Sequence, residues 1–387
     1  MQNKTKVLVL LGLLLQFVGT RISANDKPKP IWAVDLSSAK EIEESGPLDP
    51  NTDVFVTFID QTRIAVGLLF QIRIDAHQPG RPDNWKSHTL VLIVDAGSGK
   101  VLRSRSWEEF RGRPAAAEGF QMRPANSSEF LAMIGNDVVR LSSELDILAR
   151  RTLPRTAQEK HALTYYDDWE LVVSPGGDSA LLVHRKLDGS AENHWISTKD
   201  LSDLTVTAAP DHFSWSNALA DSTIVYNVAQ RDLHRLLPWK QKGDGVVMPL
   251  CSSCQGRVLG AFGRNLIFLA YDSASYTIVD TSGKEIYNRH GSGVEGIGQL
   301  SGSSRANRAA FSYGSLRRSL FHGWHSADHI IVVDADAKRE VARIDSSDEG
   351  KEIGNWQLFN QLLLAMSPDG RRLAIMKGIN LQLLAIP

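Results

Sequence analysis

The feature that most constrains the fold is a recurring unit: an apolar strand, a small polar turn, then a charged strand. It reads LVLIVDAGSGKVLRSR at 90–105, YTIVDTSGKEIYNR at 276–289 and IIVVDADAKREVARI at 330–344. Looser copies are DVVRLSSELDILARR (137–151), HWISTKDLSDLTVTA (194–208) and IWAVDLSSAKEIE (31–43). A further outer pair is DLHRLLPW (232–239) with GVVMPL (245–250). The copies recur at the roughly 40–60-residue scale of a four-stranded propeller blade, the apolar half reading as a third strand and the charged half as a solvent-washed fourth. Helical periodicity is nearly absent; TAQEKHAL (156–163) is the stretch predicted to make two helical turns.

The inner half of a blade has its own pattern. LLLAMSPDGRRLAIMKG (362–378) and ELVVSPGGDSALLVHR (170–185) each place Ser-Pro-x-Gly between two apolar strands, with Ser and Pro opening a tight turn and Gly closing it. FLAMIGNDVVRL (130–141), NLIFLAYDSASYTIV (265–279) and RAAFSYGSL (308–316) read as further inner-strand pairs. Six whole blades fit between about residue 50 and 345. The C-terminus adds three strands, and 31–36 supplies a fourth, so the expected fold is all-β: a seven-bladed β-propeller closed by its N- and C-terminal strands. Closure removes the unpaired edges of an open ring. Two β-sandwich domains would match the strand content but not the repeat length.

Ser367-Pro368-Asp369-Gly370-Arg371-Arg372-Leu373-Ala374 resembles the S-P-D-G-[KR]-x-[LI]-A hairpin of WD-like bacterial propellers of the TolB and YVTN kinds. Ser174-Pro175-Gly176-Gly177 is a degraded copy. The resemblance implies a propeller over about 350 residues, but its sharp motif covers fewer than about twenty, and such folds host many unrelated activities. The Trp-Asp and Gly-His pairs of true WD repeats are missing from most blades.

The N-terminus carries a separate signal. Lys4 and Lys6 precede an apolar run from Val7 to Val18, and Ile22-Ser23-Ala24 ends at a small residue. This is the pattern of a secretory signal peptide over 1–24, followed by a short linker at 25–30 and a propeller over 31–387. A buried helix and an uncleaved anchor are the alternatives, the latter because Arg21 and Ile22 fit the cleavage site imperfectly. The expected location is exported, periplasmic or extracellular, with no membrane span after cleavage. With 43 basic and 44 acidic residues the chain is near neutral, which gives no electrostatic case for nucleic acid. A monomer is expected.

Candidate chemistry is sparse. Gly291-Ser-Gly293-Val-Glu-Gly296 matches G-x-G-x-x-G, but the Gly- and Ser-rich continuation opposes the helix that pyrophosphate binding needs. Gly97-Ser98-Gly99-Lys100 reads as a hairpin turn, since Val94 and Val101 replace the P-loop's first Gly and its Ser/Thr. No G-x-S-x-G string exists, which excludes a prolyl-oligopeptidase-type hydrolase. His322, His325, Asp328 and His329 form a possible metal set or a polar loop. Tyr165, Tyr166, Asp167, Asp168 and Trp169 suit a polar or carbohydrate-like ligand, or packing between blades. Cys251 and Cys254 are the only cysteines. An exported chain and a following strand favour a disulfide over a redox or zinc site, closing a small loop for about 2 kcal/mol. Asn126-Ser127-Ser128 is a glycosylation sequon.

The expectation is a binding module for a protein, peptide or glycan, with no cofactor required and a divalent metal as an open option. The competing class is a propeller enzyme performing metal-assisted lactonase- or lyase-like chemistry in the central funnel. Such an enzyme would gather inner-strand carboxylates or histidines at the channel mouth.

Overall fold

The computed structural model describes residues 28–39, 42, 54–73, 85–107, 121–125, 128–134, 136–154, 156–160, 163–209, 213–221, 223–230, 233–240, 257–270, 275–290, 295–315, 329–345 and 362–387. Among the described residues seven antiparallel sheets of three or four strands follow one another along the chain, six of them meanders. The first joins Val54–Phe58, Arg63–Arg73, Trp85–Asp95 and Val101–Trp107; the second, Gln121–Pro124, Glu129–Ile134, Asp137–Ser142 and Ile147–Thr152. The third joins Asp168–Val173, Ala180–Arg185, Ala191–Ile196 and Asp203–Ala208. The fourth has three described strands, Phe213–Ala220, Thr223–Gln230 and Leu233–Lys240. The fifth joins Arg257–Phe262, Leu266–Ala270, Tyr276–Asp280 and Glu285–Arg289; the sixth, Glu295–Gly302, Arg308–Ser315, His329–Asp334 and Arg339–Asp345. The seventh takes Leu362–Met366, Arg372–Lys377 and Asn380–Ala385, and borrows Lys29–Asp35 as its outer strand.

The burial of each strand follows its composition. Second strands such as Leu266–Ala270 are buried along their whole length, because both sheet faces meet a neighbouring sheet. The outer strand Ile147–Thr152 alternates half-buried and exposed positions, one face washed by solvent. Apolar clusters fill the gaps between consecutive sheets. Leu181, Val183 and Trp195 of the third meet Leu219 and Ile224 of the fourth, and Ala218 and Val225 of the fourth meet Val258 and Ile267 of the fifth. Ile64, Val66 and Leu92 of the first sheet meet Ala374, Met376 and Leu383 of the seventh. The stack of sheets therefore closes on itself, which is the arrangement of a β-propeller.

Closure works as the sequence predicts. Trp32 faces Leu383 and Val34 faces Leu381 across the terminal pair, and the Trp32 indole N–H donates to the Ala96 carbonyl at 3.0 Å. The strand begins at Lys29, inside the predicted 25–30 linker. Most of the second half of the 31–43 unit, residues 40, 41 and 43, lies outside the described residues. Asp35 caps a short 3-10 turn, Leu36–Ser38, by accepting from the Ser37 N–H at 2.9 Å, and Leu36 is 1% exposed between the first and seventh sheets.

Both Ser-Pro-x-Gly stretches are turns of one design. Gly370 and Gly177 sit at φ 68° and 74°, and their N–H groups donate to the Ser367 and Ser174 carbonyls at 2.9 Å. Two other expectations fail. The 156–163 stretch is not helical: Ala157–Lys160 and Leu163–Tyr166 form a two-stranded hairpin before the third sheet. Its base is tied by Asp167, whose carboxylate accepts from the Thr156 N–H at 2.6 Å, and this anchoring overrides a weak helical preference. The stretches 130–141 and 265–279 pair second with third strands, and 308–316 is a second strand alone. Their true innermost strands, such as Gln121–Pro124 and Glu295–Gly302, carry Arg, Pro or Gly and so lack an apolar signature.

Among the described residues no helix is long and apolar enough to cross a membrane. The 1–24 leader, Asn126, Cys251, Cys254 and the 245–250 strand lie outside the described residues.

Candidate functional site

The innermost strands of all seven sheets wall one central channel of about 850 Å³. The turns between first and second strands rim it, including 59–62, 174–176 and Pro368. Its described charged lining is Asp60, Arg123, Glu170 and Arg305; no histidine is among the lining residues described. Asp60 is committed to its own turn: its carboxylate accepts from the Thr62 N–H at 2.7 Å and from the Arg63 guanidinium at 2.7 Å. Burial pushes its carboxyl up, but these bonds together hold it below the ordinary aspartate value.

Arg123 and Glu170 come from the innermost strands of the second and third sheets. Arg123 is open to channel water yet ringed by protein, and this burial lowers its guanidinium affinity for the proton; the Glu170 carboxylate offsets part of that. One Nη of Arg123 donates to the Met122 carbonyl at 3.1 Å. Glu170 accepts from Arg185 at 2.5 Å, and Arg185 also reaches Asp168 at 3.4 Å. Asp168 and Glu170 are two residues apart and so share a side of their strand.

The other side of that strand faces the second sheet, where Trp169 and Leu171 pack with Leu131 and Met133. Trp169 is 8% exposed and donates its indole N–H to the Pro154 carbonyl at 2.9 Å. Its ring stacks on His184 with centroids 4.0 Å apart and planes 6° from parallel. Asp167 is 4% exposed and meets His184 Nε2 at 2.8 Å. The set Tyr165–Trp169 is therefore divided: Asp167 and Trp169 are interior, Asp168 pairs with Arg185, and the side chains of Tyr165 and Tyr166 lie outside the described residues.

Of the second set, His322, His325 and Asp328 lie outside the described residues. His329 opens the third strand of the sixth sheet and bonds Asp345 at 2.8 Å through Nδ1. Of the two phosphate-like strings, 97–100 is a turn as read from sequence, and residues 291–294 of the other lie outside the described residues. Gly97 to Lys100 are a hairpin turn, with the Ser98 N–H bonded to Asp95 at 2.7 Å and Gly99 at φ 74°; Glu295 and Gly296 open a strand.

Sequence reasoning missed a third group, in the hairpin LLVHRKLDGSAENHWI (181–196). Asp188-Gly189 makes its turn, with Gly189 at φ 86°. The register then sets His184 opposite Glu192, and His194 lies two residues further on the same face. The Asp-Gly pair signals a hairpin here, but the register follows from a three-residue loop, Leu187-Asp188-Gly189, between Lys186 and Ser190.

No family model and no curated protein matches the chain. Among solved structures, Raptor from Chaetomium thermophilum superposes with TM-score 0.54 at 10% identity, over 94% of this chain and 30% of that one. A chain of the mitotic checkpoint complex superposes with TM-score 0.52 at 11% identity, over 94% of this chain and 98% of that one. The fold is a WD40-like β-propeller. At such identities the likeness concerns the fold alone. This chain spans less than a third of Raptor's length.

Proposed function

We propose that the chain is an exported, seven-bladed propeller that binds a protein segment through the channel mouth rimmed by the first-to-second-strand turns. The three-stranded fourth sheet occupies a blade's place, since its inner strand lines the channel between those of the third and fifth. The observation that carries the binding reading is the channel wall itself. Of its four described charged side chains, Asp60 is locked in its turn, Glu170 accepts from Arg185, and Arg123 keeps guanidinium donors beyond its bond to the Met122 carbonyl. A guanidinium held in a fixed, enclosed position suits a carboxylate of an incoming acidic side chain or chain end. The propeller neighbour from the mitotic checkpoint complex agrees with this role. The secretory pattern of Lys4, Lys6, Val7 to Val18 and Ala24, with the TolB/YVTN-like turn at 367–370, supports export.

The test is selection of peptides against the purified mature protein, followed by titration of the selected peptides. Acidic peptides are expected, with affinity falling about 10–100-fold in Arg123→Gln, the loss of one charge-assisted hydrogen bond set. Turnover of lactone or uronide substrates that Glu170→Gln abolishes would overturn the reading in favour of an enzyme. Selective retention on a glycan array, unchanged in Arg123→Gln, would overturn it in favour of a sugar ligand. N-terminal sequencing of the exported protein is expected to begin at Asn25.

A further inference from the structure

We infer that His184, Glu192 and His194, in the crevice between the second and third blades, form a binding site for a divalent transition metal of the zinc class. Among the described residues they are the one group of three or more His, Cys, Asp or Glu residues whose ligand atoms converge, all within 4.8 Å of one another. Two neutral imidazoles and a carboxylate are a donor set that zinc accepts.

A carboxylate only accepts hydrogen bonds, so a ring nitrogen facing one carries the proton, and the other nitrogen keeps its lone pair. Asp167 faces His184 Nε2 at 2.8 Å, which leaves His184 Nδ1 as the donor to a metal. Asp203 faces His194 Nδ1 at 3.3 Å, which leaves His194 Nε2. That Nε2 is buried and has no hydrogen-bond partner. Glu192 gives one oxygen to Lys186 at 2.5 Å. Its other oxygen stands 3.6 Å from His194 Nε2 and 4.0 Å from His184 Nδ1. The three uncommitted atoms thus point into one space, and each ligand has a separate outer partner. Asp167 is itself anchored by the Thr156 N–H, and Asp203 by the Arg151 guanidinium of the second blade at 2.8 Å and 2.9 Å. Carboxylate–histidine pairs of this kind orient metal ligands and fix their tautomers.

The spacing fits an ion. Bonds of about 2.0–2.1 Å in a tetrahedral site put ligand atoms about 3.3 Å apart, so the separations here close by rotations of a few tenths of an ångström to about 1.5 Å. Trp169 shields one side: its ring lies flat on His184 and 5.1 Å from that of His194. Three protein ligands leave a fourth position for water or a partner's donor atom. The site is separate from the channel, on the far side of the strand that carries Glu170.

Zinc titration of the metal-stripped full-length mature protein, followed by calorimetry and by the visible spectrum of the cobalt(II) form, tests this. One ion per chain is expected, with a four- or five-coordinate cobalt spectrum and a rise in melting temperature. Glu192→Gln and His194→Gln, judged folded by circular dichroism without metal, are expected to weaken binding at least about 100-fold, and Asp203→Asn about 10–100-fold. Absence of binding to the folded wild type at micromolar zinc would overturn the proposal. So would binding that survives the Glu192→Gln/His194→Gln double variant, or that is lost only when His322 and His325 are replaced. None of these outcomes depends on the peptide titration.

Discussion

Leu36→Ala tests how far the ring depends on its N-terminal strand. Leu36 is 1% exposed and packs among Ile64, Val66, Leu381 and Leu383, where the first and seventh sheets meet. Its N–H also donates to the Ile379 carbonyl at 3.1 Å, at the end of the closing pair. Truncating a leucine in such a place removes transfer energy and leaves a cavity, for about 2–5 kcal/mol. Total stability is about 5–15 kcal/mol, so this is a large fraction of it. With a urea slope of about 3 kcal/mol/M, the unfolding midpoint is expected to fall by about 1 M. Deleting 29–36 removes more. It takes the Trp32 indole bond to Ala96 and the ladder to Asn380–Ala385, and it bares that strand's edge to other chains. Ile31→Ala on the same strand is the control: Ile31 is 43% exposed, so its stability should change by less than about 0.5 kcal/mol and its midpoint by less than about 0.2 M. If Leu36→Ala and the deletion both melt like the wild type, the ring is not closed by this pairing and the reasoning is wrong.

Two further predictions follow from named contacts. The Asp60 carboxyl titrates below its ordinary value of 3.8 in the folded chain, so its contribution is complete above that value and is lost as pH falls through the lower folded value. Asp60→Asn is therefore expected to be less stable than wild type near about pH 6, with the gap closing below about pH 3; a constant gap in urea midpoints across that range would refute this. Gly67 lies opposite Phe55, and a methyl group there would come within 1.6 Å of the ring. Gly67→Ala is expected to cost about 1–3 kcal/mol by overpacking, and Phe55→Leu in the same chain to recover part of it; additive losses in denaturant melts would exclude the contact as the cause.

Much of the fold was legible because a blade is a local object. Hairpins such as 90–105 and 330–344 announce themselves by a polar turn between an apolar and a charged strand, and the register follows from the turn. Closure by 31–36 was legible by counting, since three C-terminal strands need a fourth. The helix expected at 156–163 failed where a tertiary contact, Asp167 on the Thr156 N–H, decided the outcome. The innermost strands were harder to place. Gln121–Pro124 is only four residues long, with Arg123 and Pro124 on the channel and Met122 in the core, which is too short a run to read as alternation.

The candidate sites divide along the same line. The two-residue period places Glu192 and His194 on one face from sequence, but their pairing with His184 depends on the loop being the three residues Leu187-Asp188-Gly189; a two-residue Asp-Gly turn would have set Glu192 opposite Arg185. Which nitrogen of each ring is left free was decided only in three dimensions. That depends on Asp167, delivered by the connection from the second sheet, and on Asp203, held in place by Arg151 of a neighbouring blade. Arg123 and Glu170 likewise meet only through ring packing, which brings together strands that no local pattern relates. The sequence determines each blade by short-range turn geometry and alternation. The ring, the channel and the outer partners of the histidines come from contacts between blades, which local periodicity does not encode.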